Sequence, residues 1–107
     1  MRIEWSARAI EDREAIFDFI LAEDPRAAVT VDERIAAATR RLIDFPDSGR
    51  IGRVAGTREL VVTGAPYVLP YCVDGDRILI LRVLHAARLW PNGADWLRER
   101  GSDRSFS

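Results

Sequence analysis

The order of apolar and polar positions changes once along the chain, near residue 50. Before that point the spacing is helical, and after it the period is two. Ile3-Glu4-Trp5 opens the chain as a short strand, and Ser6 offers a hydroxyl to cap the helix that follows. Over Ala7 to Glu23, Ile10, Phe17, Ile20 and Leu21 fall on one helical face, with Glu11, Asp12, Glu14 and Asp18 elsewhere. Asp24-Pro25 closes this helix and opens another, because Asp caps and Pro at the first helical position loses no needed donor. Ala28, Val31, Ile35, Ala38, Leu42 and Phe45 are spaced by threes and fours, so the second helix carries a narrow apolar stripe. Phe45-Pro46-Asp47-Ser48-Gly49 ends it. Two helices joined by so short a turn make an antiparallel hairpin.

In the second half, Gly52, Gly56 and Gly64-Ala65-Pro66 mark turns. Three strands are predicted between them: Arg58 to Thr63, Tyr67 to Val73 and Arg77 to His85, the last two joined by the tight turn Asp74-Gly75-Asp76. Pro70 has no N–H for a ladder, which predicts a bulge there or a shortened strand. Beyond Trp90-Pro91-Asn92-Gly93, residues Ala94 to Arg100 can form a short helix, and 101–107 read as a polar tail. The result is one α+β domain over residues 1–100, in the order β-α-α-β-β-β.

In this arrangement the helical hairpin covers one face of a small antiparallel sheet, and no further long element is left for the other face. The last strand alternates Ile78, Ile80, Arg82, Leu84 with Leu79, Leu81, Val83, His85. Arg82 does not belong in a small dry core unless it is paired. Leu79, Leu81 and Val83 are therefore expected under the helices. Ile78, Ile80 and Leu84 are expected on the open face beside Arg82, as an apolar patch suited to a partner. The competing arrangement has the C-terminal segment, through Trp90 and Trp96, folding back over that face.

A length of 107 residues fits one domain, and no apolar run approaches a membrane span. No apolar leader follows Met1, and Cys72 is the single cysteine, which points to the reducing cytoplasm. With one His and one Cys, a zinc-type metal site is not expected, nor is any cofactor. The net charge of −1 argues against bulk attraction to nucleic acid, yet residues 1–49 carry −4 and residues 50–107 carry +3. All sixteen basic residues are Arg, whose planar fork suits carboxylates and phosphates.

The groups that could carry chemistry are Arg50, Arg53, Arg58, Arg82, Arg88, Tyr67, Tyr71 and His85. Arg residues around one His could cleave RNA, with His85 moving protons and Arg58 and Arg82 stabilising the crowded phosphate. Each also has a plain packing role. His85 ends a strand on the face assigned to the core, Arg58 can pair with helix carboxylates, and Tyr67 and Tyr71 share a strand face. Trp90 can anchor the C-terminal turn. No Ser-His-Asp order, glycine-rich phosphate loop or paired-carboxylate motif is present.

Several stretches, taken in order, identify the chain with a known family. They are Trp5-Ser6 opening a helix, Asp24-Pro25-Arg26-Ala27-Ala28, Phe45-Pro46, Gly49-Arg50, Gly52-Arg53-Val54 and Gly56-Thr57-Arg58-Glu59-Leu60-Val61. Pro66-Tyr67-Val68, Ile80-Leu81-Arg82-Val83-Leu84-His85-Ala86-Ala87-Arg88 and Trp90-Pro91 complete the set. Together they resemble the ParE/RelE superfamily of toxins from type II toxin–antitoxin modules. The resemblance implies the same fold, a cognate antitoxin that wraps the helical hairpin and extends the sheet, and one of two activities. RelE-like members cleave mRNA on the ribosome; ParE-like members, linked with plasmid stabilization, arrest growth by poisoning DNA gyrase. RelE-like chains tend to carry Arg after the tyrosine that opens the middle strand, and some related ribonucleases carry Tyr after the histidine. Here Val68 follows Tyr67 and Ala86 follows His85, so the chain is more similar to the ParE branch. The resemblance then implies a toxin that binds gyrase. Arg50, Arg53, Arg58, Arg82, Arg88, Ile78, Ile80, Leu84 and Trp90 are the expected contacts to target or antitoxin. The alternatives are a ribosome-dependent endoribonuclease and a non-toxic module that binds only its antitoxin.

Overall fold

The computed structural model describes residues 1–87. Strand β1 (Arg2–Trp5) leads into helix α1 (Ala7–Leu21) through Ser6. The Ser6 hydroxyl accepts the Ala9 N–H at 3.0 Å and donates to the Leu81 carbonyl at 2.8 Å, so one side chain both caps the helix and ties it to the sheet. Asp24 caps α2 (Pro25–Asp44) by accepting from the N–H groups of Arg26 and Ala27 at 3.1 and 3.2 Å. The stripe on α2 forms the inner face as expected, with Ala28, Ile35, Ala38 and Leu42 buried and Val31 packed beside them. Phe45 departs from it: as the C-cap its backbone has left the helix, and its ring is 62% exposed. On α1 the contact with the core is made by Ala9 and Ile16, while Ile10 and Leu21 stay largely exposed.

The remaining elements are β2 (Arg50–Ile51), β3 (Arg58–Val61), β4 (Tyr67–Asp74), β5 (Arg77–Ile80) and β6 (Leu84–His85). The sheet order is β1-β5-β4-β3-β2, with β6 pairing β4. All pairings are antiparallel except β1 with β5, which is parallel because the helical hairpin returns the chain to the same end of the sheet. The Asp74-Gly75-Asp76 turn is present, with Gly75 at φ 61°.

The third strand of the meander is broken in two by a bulge. Ile80 stands opposite Tyr71 and Leu84 opposite Val68. Leu81, Arg82 and Val83 therefore face only Leu69 and Pro70, one residue too many for a regular ladder. The Leu81 N–H donates to the Pro70 carbonyl at 2.8 Å, and Pro70 has no N–H to return. The expected bulge at Pro70 thus falls in the partner strand.

This extra residue corrects the assignment of faces. Ile78 and Ile80, expected on the open face, are 0% exposed and lie in the main core with Ile35, Leu42, Leu69 and Tyr71 under the helices. Leu79 and Leu81, expected under the helices, lie on the reverse face, packed with Val54, Cys72 and Leu84. Beyond the bulge the expected parity returns: Val83 is in the main core and Leu84 on the reverse face. Leu79 and Leu81 are buried too, with Val54 reaching across from the loop after β2. The apolar partner patch of Ile78, Ile80 and Leu84 therefore does not exist as a unit.

Candidate functional site

Among the described residues, the arginines singled out from the sequence fall at separate places, apart from Arg50 and Arg53, which both meet Glu59. Arg50 pairs across the β2–β3 ladder with Glu59, its Nη2 and Nε lying 3.0 and 3.1 Å from one carboxylate oxygen. Glu59 is only 3% exposed, and its other oxygen accepts the Arg53 N–H at 3.3 Å, so this carboxylate gathers the loop after β2. Arg58 lies on the other side of β3. Its Nη1 donates to the carbonyls of Gly49 and Asp47 at 2.8 and 3.2 Å, and its Nε lies 3.7 Å from the Asp47 carboxylate. Tyr71, opposite Arg58 in the ladder, donates its hydroxyl to the Pro46 carbonyl at 2.7 Å and accepts the Gly49 N–H at 3.0 Å. Arg58 and Tyr71 thus hold the loop that leaves α2 against the sheet. Arg88, Trp90 and the helix expected at 94–100 lie outside the described residues.

Arg82 is at a different place. It belongs to the bulge and meets Asp12 of α1, with Nε to Oδ2 at 2.7 Å and Nη2 to Oδ1 at 3.2 Å. The side chains are 8% and 14% exposed. Asp12 also accepts the Val83 N–H at 3.0 Å, a donor that the broken ladder leaves over. Arg82, expected on the open face, is instead buried on the helix side, because Asp12 supplies the partner that burial requires.

Beside this pair runs a groove of about 330 Å³, bounded by Ile16 and Phe19 of α1, Tyr67 of β4 and the stretch from Arg82 to His85. His85 is exposed, which corrects its expected place in the core. Its ring meets Tyr67 edge-on, with centroids 5.4 Å apart at 79°. Its Nδ1 accepts the Ala87 N–H at 3.0 Å, which assigns the proton of the neutral ring to Nε2. Two of the three residues expected for RNA cleavage, His85 and Arg82, thus share one groove, while Arg58 is not among the residues that line it. Asp12 was not singled out from the sequence. The available signal was the need for a carboxylate near Arg82.

A second groove, of about 490 Å³, was also missed. It is lined by Trp5, Ile10 and Phe17, with Glu14, Asp18 and Asp32 at its edges. Arg13 sits in it, 5.0 Å from the Trp5 ring centroid and 2.6 and 2.9 Å from the two Asp32 oxygens. Its signal was the pair Ile10 and Phe17, seven residues apart on α1 with acids on either side.

Among the described residues no helix is long and apolar enough to cross a membrane. The sequence model of the ParE toxin of the type II toxin-antitoxin system, parDE, matches residues 3–90. The chain belongs to the ParE toxin family. Among its relatives, a protein named as a toxin, Y4kP of Sinorhizobium fredii, is 43% identical over 90 residues, covering 84% of this chain and 93% of that protein. Toxin RelE2 of Caulobacter vibrioides is 40% identical over 88 residues, covering 82% of this chain and 98% of the relative. The fold is also that of a chain from the chromosomal ParDE TA system of P. aeruginosa, with a TM-score of 0.72, 28% identity and coverage of 79% and 95%. The ParE match takes in β1 through β6, so both grooves and the Arg82 pair lie within the family domain.

Proposed function

We propose that this ParE-family chain acts in the cytoplasm, is neutralised by a cognate antitoxin and, when released, arrests growth by binding DNA gyrase rather than by cutting RNA. The observation that carries this reading is the engagement of the guanidinium groups. A ribonuclease needs free positive charge around the scissile phosphate. Arg82 is taken up by Asp12, and Arg58 by the Asp47–Gly49 loop. Arg50 and Arg53 are the exposed ones among the described candidate arginines and are placed to meet a partner carboxylate, Arg50 from its pair with Glu59. Arg53, Leu84, Arg88 and Trp90 complete the proposed contacts, whereas Arg58 and Arg82, engaged within the chain, drop out of the set expected from the sequence. The antitoxin is proposed to lie along the helical hairpin and to add a strand to the sheet.

The test is purified gyrase with plasmid and increasing amounts of the protein. Loss of supercoiling or trapped cleaved DNA is expected. Supercoiling unchanged by an excess of the protein refutes the reading.

A second reading, a ribosome-dependent endoribonuclease, is favoured by the common groove of His85, Tyr67 and Arg82. It requires new mRNA 5′ ends at the A site on translating ribosomes, abolished by His85→Ala. If growth is arrested while mRNA stays whole, this reading fails. Normal growth without antitoxin would identify a module that only binds its antitoxin.

A further inference from the structure

We propose that Asp12 is the specificity-determining residue of the groove beside α1: it engages the Arg82 guanidinium and so keeps RNA phosphate out. The proposal rests on the reading of this chain as a binding protein rather than a nuclease, and it names the side chain responsible.

The argument starts from geometry. A phosphodiester is recognised by an arginine through two parallel N–H groups on one edge of the fork. On Arg82 the Nε–Nη2 edge is taken, both groups donating to Asp12 at 2.7 and 3.2 Å. Asp12 is fixed independently, since its Oδ2 also accepts the Val83 N–H at 3.0 Å. To take that edge, a phosphate would have to displace a carboxylate held by three hydrogen bonds. It would also have to approach that negative charge in a setting where water screens little, the two side chains being 8% and 14% exposed.

The rest of the groove is suited to a nucleic-acid strand. Phe19 is 75% exposed on one wall, and His85 is exposed on the other, set edge-on against the buried Tyr67. Aromatic faces of this kind stack on bases of any sequence. The groove therefore holds exposed aromatic surface for a base and a cation for a phosphate, and Asp12 offsets that cation. Asp12 acts through Arg82 and is a positioning residue.

The experiment measures binding of a fluorescein-labelled single-stranded RNA to the wild-type chain, to Asp12→Asn and to Asp12→Asn/Arg82→Met. Asn keeps an oxygen for the Val83 N–H and removes the charge. A gain in affinity on the order of tenfold is expected for Asp12→Asn, falling with added salt and absent in the double variant. A folded Asp12→Asn that binds RNA no better than wild type overturns the proposal, as does a gain that survives loss of Arg82. Should Asp12→Asn fail to fold, the Nε–H resonance of Arg82 is followed in the wild-type protein as the same RNA is added. A resonance that stays in place supports the proposal, and a saturable shift overturns it. The supercoiling assay on wild-type protein is run in parallel. Its failure removes the gyrase reading and leaves the result for Asp12 standing.

Discussion

Gly49 and Tyr71 are in such close contact that no larger residue fits. The Gly49 N–H donates to the Tyr71 hydroxyl at 3.0 Å, and a Cβ on Gly49 would lie 2.7 Å from a ring carbon of the tyrosine and 2.9 Å from the Glu59 carbonyl. Gly49→Ala must therefore push the α2–β2 loop off the sheet. Tyr71→Phe keeps the packing but leaves the Gly49 N–H and the Pro46 carbonyl without their partner. A loss of about 1–3 kcal/mol is expected for Tyr71→Phe, and Gly49→Ala should cost at least as much. Urea unfolding with equal slopes for all three proteins checks both.

The same hydroxyl gives the fold an alkaline limit. Burial pushes the Tyr71 phenol above its ordinary pKa of 10.0, outweighing the Gly49 N–H and nearby Arg58, which act the other way. A pKa raised on folding adds stability that is complete below the unfolded value and is lost as pH rises through the folded one. Stability is thus expected to fall above about pH 10, less steeply in Tyr71→Phe. Thermal unfolding of both proteins over pH 8 to about 11 measures the difference.

Ser6 serves two elements through one oxygen, capping α1 and binding the Leu81 carbonyl at the bulge. Ser6→Ala should destabilise the protein by about 1–2 kcal/mol, and Ser6→Gly should recover part of that, because glycine is a tolerated N-cap although it cannot restore the bond to Leu81. Amide exchange is expected to accelerate at Ala9, which loses its acceptor.

Asp12 and Arg82 form a pair that tolerates joint removal better than single removal. Asp12→Ala leaves a buried guanidinium short of its counter-charge and should cost about 3–5 kcal/mol, whereas Asp12→Leu/Arg82→Met should lie much closer to wild type. A double-mutant cycle by denaturant titration tests this. Additive losses would mean that the two side chains do not depend on each other.

Much of the fold was legible because single residues decide local geometry. Asp24-Pro25 announced the turn between the helices, Asp74-Gly75 the hairpin, and Pro70 an interruption of the ladder. The facing of β5 was not legible, because one inserted residue breaks the parity on which the argument depends. Reading backwards from Arg82, which lies inside the bulge, put Ile78 and Ile80 on the wrong side. Reading forwards from the Asp74-Gly75-Asp76 turn, in register with Tyr71, would have put them on the right one. The site was less legible than the fold. Arg50, Arg58 and Arg82 look alike in the sequence, and only their carboxylate and carbonyl partners, scattered over three elements, show that they serve different places. Asp12 stands on a helix rich in acids, with nothing in its neighbours to single it out.

The parallel pairing of β1 with β5 has a consequence for synthesis. Arg2 lies against Arg77 and Trp5 against Ile80, so among the described residues β1 finds its sheet neighbour 75 positions further along the chain. Pairings so distant along the chain close late. A nascent chain on the ribosome can fold its helical hairpin at once, yet its outer strand has nowhere to dock until residue 80 has emerged. The outer edge of the toxin's sheet is thereby withheld until β5 has been made and β1 can pair with it.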